Sequence, residues 1–153
     1  MIHYRSMSCL CTLIVMISTA AGCGSSPVAL GEVSGILTVD GKPAPEIAVD
    51  FIPDSDGGTT GPPSSALTDQ DGKFTLICRD GRNGAVVGTH RIVLRDNRAV
   101  AGAPSMRFKD ADKKPKPLPA SRISDRYTRA LSTPLRQEVK AEPQTIPLEV
   151  TKK

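Results

Sequence analysis

Asp40-Gly41 separates two runs in which apolar and polar residues alternate, 32–39 and 46–52, and this constrains the fold more than any other feature. A two-residue turn between antiparallel strands needs positive φ at both central positions, and Asp-Gly meets that need at low steric cost. In the first run Val33, Leu37 and Val39 share a face with Gly35; in the second, Ile47, Val49 and Phe51 alternate with Glu46, Ala48 and Asp50. A period of two buries one side of a strand and leaves the other to solvent. The pattern predicts an all-β fold of half-buried strands.

The same alternation recurs along the chain. Pro53 closes the second strand and 54–64 is a polar loop. A short strand at 65–68 meets the turn Asp69-Gln70-Asp71-Gly72, where Gly72 supplies a left-handed position. A strand at 73–78 follows, with Phe74, Leu76 and Cys78 on one face, and after a loop at 79–88 a strand at 89–95, with His90, Ile92 and Leu94 together. Two closing strands span 135–139 and 145–150, and Pro147 confines the last to an edge or a bulge. Thirteen glycines and thirteen prolines, with few long helical periodicities, fit short strands joined by turns. The count reaches seven strands, which predicts an antiparallel β-sandwich of the Ig-like kind. Residues 96–133 lack clear periodicity. A stretch this long is either mobile or the place where function sits.

The N-terminus has a different character. Arg5 precedes an apolar run from Leu10 to Ala21, too short to span a bilayer comfortably. Then comes Ala20-Ala21-Gly22-Cys23-Gly24-Ser25-Ser26. Small residues before a cysteine, followed by a Gly/Ser linker, resemble the lipobox of bacterial lipoproteins, although Ala20 stands where that pattern usually has Leu. The resemblance implies a signal peptide at 1–22, lipidation of Cys23, a tether at 23–31 and a mature domain at 32–153. It places the protein in the cell envelope, held to a membrane by its lipid and facing the periplasm or the outside. Gly24 rather than Asp after the cysteine leans towards the outer membrane.

Cysteine usage agrees with this. Cys9 and Cys11 leave with the signal and Cys23 is lipidated, so Cys78 has no partner within the mature monomer. It reads as a small buried apolar residue. Removing 1–22 takes away one charge, Arg5, and leaves a mildly basic chain of about +3. The mature aromatics are Phe51, Phe74, Phe108 and Tyr127, and the one basic cluster, Lys113-Lys114-Pro115-Lys116, lies in a proline-rich stretch. Nucleic acid is therefore not an expected partner.

Several segments together resemble the carboxypeptidase-regulatory-like domain, a transthyretin-like (prealbumin-like) sandwich found in exported planctomycete lipoproteins. Val33-Ser34-Gly35-Ile36-Leu37-Thr38-Val39-Asp40-Gly41-Lys42-Pro43 resembles its opening strand and turn. Phe51-Ile52-Pro53 resembles its second strand, and Thr68-Asp69-Gln70-Asp71-Gly72-Lys73-Phe74 its most specific turn. Val87-Gly88-Thr89-His90-Arg91-Ile92-Val93, and Tyr127 with Ser132-Thr133-Pro134-Leu135, resemble later segments. Val87 and His90 depart from the Pro and Tyr usual there. The matched residues are turns and core, so the resemblance implies architecture without an active site.

The chemistry-bearing residues are sparse. Transthyretin-like folds include a ureide hydrolase with a C-terminal Tyr-Arg-Gly-Ser, whereas this chain ends Glu149-Val150-Thr151-Lys152-Lys153. The related intradiol dioxygenases hold iron with two Tyr and two His, and the mature chain has one of each. His90 is the only imidazole base of the expected mature chain and sits on an apolar face, where a core-edge filler with a satisfied ring nitrogen is the simpler role. Asp54, Asp56, Asp69 and Asp71 fit turn chemistry better than calcium ligation. No catalytic residue, metal or cofactor is expected, and the chain is not expected to be an enzyme. Arg122, Arg126 and Tyr127 are the candidate interaction residues, with Arg129 and Arg136 nearby. The expected function is that of a non-catalytic structural or protein-interaction module among envelope proteins. The alternative is a carbohydrate-binding module, which the scarcity of aromatic platforms weakens.

Overall fold

The computed structural model describes residues 28–101 and 119–152. The signal region, Cys23, most of the tether and 102–118 lie outside the described residues, so the lipidation expected at Cys23 is a matter of sequence. The strand segments in chain order are β1 Leu30–Gly31, β2 Val33–Val39, β3 Lys42–Pro43, β4 Ile47–Pro53, β5 Ser64–Leu67, β6 Lys73–Thr75, β7 Ile77–Cys78, β8 Ala85–Val86, β9 Gly88–Asp96, β10 Arg136–Val139 and β11 Gln144–Val150. A helical turn, α1 Asn97–Ala101, follows β9, and 3-10 turns lie at Ser55–Gly57 and Asp125–Tyr127.

The protein is mostly β. A large sheet runs in the order β10-β9-β4-β5-β7; a small one has β11 and β3 flanking β2, with β6 also on β2. β1 and β8 form a separate two-stranded ladder, which the sequence reading assigned to tether and loop. One core joins the two sheets: Val33 and Leu37 of β2, Ile146 and Leu148 of β11, Val49 and Phe51 of β4, Ile92 and Leu94 of β9. Burying each such side chain contributes roughly 1.5–3 kcal/mol. Exposed ion pairs such as Lys73–Asp71 contribute about 0–1 kcal/mol. The apolar interior therefore dominates the stability.

The turns behave as their residues dictate. Asp40 and Gly41 have φ of 50° and 74°, and the hairpin pairs Val39 with Lys42 across them. At the second turn the Asp69 carboxylate accepts the N–H groups of Asp71 at 2.9 Å and Lys73 at 2.8 Å. Gly72 has φ of 74° and donates its N–H to Asp69 O. A Cβ at Gly72 would lie 2.5 Å from Leu37 O, so the turn packs directly on β2. The buried Thr68 hydroxyl donates to Ala44 O at 2.6 Å and accepts Ile47 N–H at 2.9 Å. The segment Thr68 to Gly72 is thus a clip between hairpins.

Two expectations need correction. β11 runs parallel to β2, over Gln144↔Val33 to Val150↔Val39, so the small sheet is not purely antiparallel. A half-buried strand alternates identically in either direction, which hides the direction from the sequence. The expected strand at 73–78 is divided at Leu76: β6 pairs with β2, while β7 pairs with β5 in the other sheet. Phe74, Leu76 and Cys78 stay buried throughout, because both halves face the same interior. The segment 96–133, read as without periodicity, is in its described parts ordered: Asp96 belongs to β9, and Ile123 and Tyr127 enter the core. Pro147 does lie on an edge strand, β11.

Candidate functional site

The alternation that buries Val49 and Phe51 turns Asp50 and Ile52 outward on β4. On β9 it places Arg91, Arg95 and Val93, the last only 5% exposed, on the face away from Ile92 and Leu94, and on β5 and β7 Ser65 and Ile77. The register Val93↔Asp50↔Ser65↔Ile77 aligns four of these in one row across the sheet. They floor an open groove of about 1020 Å³. One wall is the loop from Ser55 to Pro63, and the other is formed by Thr128 and Ala130.

The first wall is held by charge. The side chain of Asp54 is almost buried and accepts from Arg91 Nε at 2.9 Å and Nη2 at 2.8 Å. Arg136 Nε approaches its other oxygen at 3.3 Å. Arg91 also donates to Asp56. Hydrogen bonding from Arg91 holds the Asp54 carboxyl below the usual carboxylate range, against the opposing effect of burial. Asp54 O accepts the N–H groups of Gly57 and Thr59, and the Thr59 hydroxyl accepts Thr89 N–H at 2.8 Å. The loop is pre-organised before anything binds, which lowers the entropic cost of binding.

The second wall hangs on Tyr127, which is 7% exposed. The Thr128 hydroxyl donates to Asp125 O at 2.8 Å, and Thr133 N–H donates to Arg129 O at 2.9 Å. Thr133 is itself buried, and its hydroxyl donates to Ile92 O at 2.7 Å. Within the groove Asp50 accepts from Arg95 Nη2 at 2.6 Å.

Of the residues expected to interact, Arg126 is exposed, whereas Arg122 and Tyr127 are engaged within the domain. Arg122 folds back on Asp96, whose side chain is 2% exposed. Tyr127 is core, and the Arg126 guanidinium lies over its ring, 5.8 Å from the centroid. Arg136 partners Asp54, so the arginines at 122 and 136 face carboxylates. His90 is fully buried beside Phe51. Nδ1 lies 3.1 Å from Gly88 O, and Nε2 has no partner among the described residues. Burial pushes its pKa down, so the ring is neutral. Cys78 is buried, as a small apolar residue would be.

Sequence reasoning missed the groove floor. The signal lay in Ile52, Val93 and Ile77, apolar side chains at positions where the alternation calls for polar ones. With a solvated outer face assumed, each reads as a lone exception. Only the strand order brings them together.

No family model matches the chain, nor does any curated protein or solved structure.

Proposed function

We propose that the chain is a non-catalytic protein-interaction β-sandwich of the cell envelope, lipid-anchored through Cys23. In this reading the mature domain is a transthyretin-like module of the carboxypeptidase-regulatory kind. It faces the periplasm or the outside, at the outer membrane rather than the inner. The observation that carries the interaction reading is the outer-face groove. Its floor mixes Ile52, Val93 and Ile77 with Asp50 and Ser65, its walls are held by buried groups, and exposed apolar side chains lie near it. Ile77, 52% exposed, lines it; Leu67, 55% exposed, lies on the same face; Leu131, 90% exposed, follows Ala130 of the wall. Clustered exposed apolar residues with a polar rim mark contact surfaces. A carbohydrate-binding reading draws less support, because no aromatic ring lines the groove among the described residues.

The expected anchor lies close to the domain in sequence. Leu30 begins β1 seven residues after Cys23, a reach of roughly 24 Å when extended. Arg82 Nη1 donates to Val28 O at 3.1 Å, tying the start of the domain to the 80–84 turn. The sandwich would therefore sit close to the bilayer.

Two measurements test this. Intact mass of the membrane-fraction protein should show a chain starting at Cys23 with added acyl groups, absent in Cys23→Ala; an unmodified soluble chain sinks the anchor. A photo-crosslinking residue at Ile77 should form adducts with envelope proteins, while the same residue at Ile36, exposed on the small sheet, should not. Equal labelling from both positions, or none from Ile77, overturns the groove as an interaction site.

A further inference from the structure

The groove carries an unequal charge. Its lining holds one carboxylate, Asp50, and two guanidiniums, Arg79 and Arg95. Asp50 meets Arg95 through Nη2, and the Arg95 side chain remains 60% exposed. Arg79 is exposed at the end of β7, held by its backbone N–H on Pro63 O, and its guanidinium has no partner among the described residues. Two guanidiniums against one carboxylate leave the groove with one positive charge in excess.

We propose that the groove binds an extended acidic peptide segment, apolar at alternate residues, whose carboxylates meet Arg79 and Arg95; this rests on the protein-interaction reading above. An extended chain sends successive side chains to opposite sides. One set lies along the floor beside Ile52, Val93 and Ile77, and the carboxylates of the other reach Arg79 at the end of β7 and Arg95 on β9. Arginine presents parallel N–H donors that match a carboxylate. The volume of about 1020 Å³ lies at the upper end of ligand clefts and accommodates a short strand. Two standing walls exclude the flat face of a second sheet. A second copy would also bring its own Arg79 and Arg95 against the first pair, and like charges across an interface are unfavourable.

The test is fluorescence anisotropy on the full-length chain in neutral detergent micelles. The probe is a labelled short peptide alternating leucine with glutamate, and the comparison is the same peptide with lysine in place of glutamate. The glutamate peptide should bind at least about tenfold more tightly and weaken as salt rises. Arg79→Glu and Ile77→Asp should each reduce its affinity about tenfold. Lys42→Glu, on the far hairpin, should leave it unchanged. Equal binding of the two peptides overturns the proposal, as does a glutamate complex indifferent to Arg79→Glu. Binding of a polyuronate in the groove with no peptide binding overturns it too. If crosslinks from Ile77 to envelope proteins persist while the glutamate peptide fails to bind, the acidic-segment inference falls alone and the interaction reading stands.

Discussion

Arg122 closes a fork on Asp96: Nε and the backbone N–H donate to Oδ2 at 2.8 and 2.9 Å, and Nη2 donates to Oδ1 at 2.8 Å. The same Nη2 reaches Pro45 O at 2.8 Å. Residues after the undescribed stretch are thereby locked to the end of β9 and to the entry of β4. Arg122→Ala leaves the buried Asp96 carboxylate without its cation, with only backbone N–H donors remaining. It should cost about 2–3 kcal/mol in urea unfolding, the lower part of the range for broken buried pairs because the guanidinium is partly exposed. Arg122→Lys should recover little of this, since an ammonium cannot supply the fork.

Loss of the Asp54–Arg91 pair should act locally. Asp54→Asn or Arg91→Met leaves the core untouched but removes the charged clamp on the 55–60 loop, leaving its backbone bonds and the Thr59–Thr89 bond to hold it alone. Hydrogen exchange should accelerate at the Gly57 and Thr59 amides, which Asp54 O accepts, while the β4 and β9 core amides keep their protection. Uniform loss of protection across the sheet would show that the pair supports the whole fold instead.

Acid should weaken the protein in two stages. Burial lowers the His90 pKa from 6.5, so the unfolded chain binds more protons as pH falls below that value. Stability is full above about 6.5 and declines beneath it. His90→Phe should flatten urea midpoints between neutral and mildly acidic pH. Hydrogen bonding from Arg122 depresses Asp96, and that from Arg91 depresses Asp54. Their contribution is present above the ordinary carboxylate value of 3.8 and is lost as pH falls through the lowered folded values. The second stage should therefore survive His90→Phe.

Gly41 and Gly72 share a φ of 74° but not their surroundings. Nothing lies within 4 Å of a Cβ placed at Gly41. Gly41→Ala should thus cost only the left-handed strain, about 1 kcal/mol. Gly72→Ala adds a clash with Leu37 O, 2.5 Å away, and should cost about 3 kcal/mol or more. Thermal or urea unfolding of the two variants separates strain from crowding.

Much of the fold was legible because it is written in near neighbours. Asp40-Gly41 and Asp69 to Gly72 specify their turns through their own backbone chemistry, and the alternations in β2, β4 and β9 name the buried sides. What stayed hidden depends on distant pairing. Nothing at Leu76 marks a change of sheet, since Phe74, Leu76 and Cys78 keep one phase across it. Nothing in β11 marks its direction. The groove was hidden for the same reason: Val93, Asp50, Ser65 and Ile77 become neighbours only when four strands are put in order. Arg122 and Tyr127 stood out as a charge and an aromatic in an irregular stretch, yet Asp96 and the core take them up.

The parallel pairing of β2 with β11 has a mechanical consequence. The chain enters β2 at Val33 and leaves β11 at Val150, which lie at opposite ends of the same ladder. Tension applied between the two ends of the chain would slide these two strands past each other. All the bonds of the ladder would resist together, rather than opening one after another like a zip. Pulling single molecules through their termini should meet a higher rupture force than pulling through the β2–β3 hairpin, so a domain moored at one end can bear force delivered at the other.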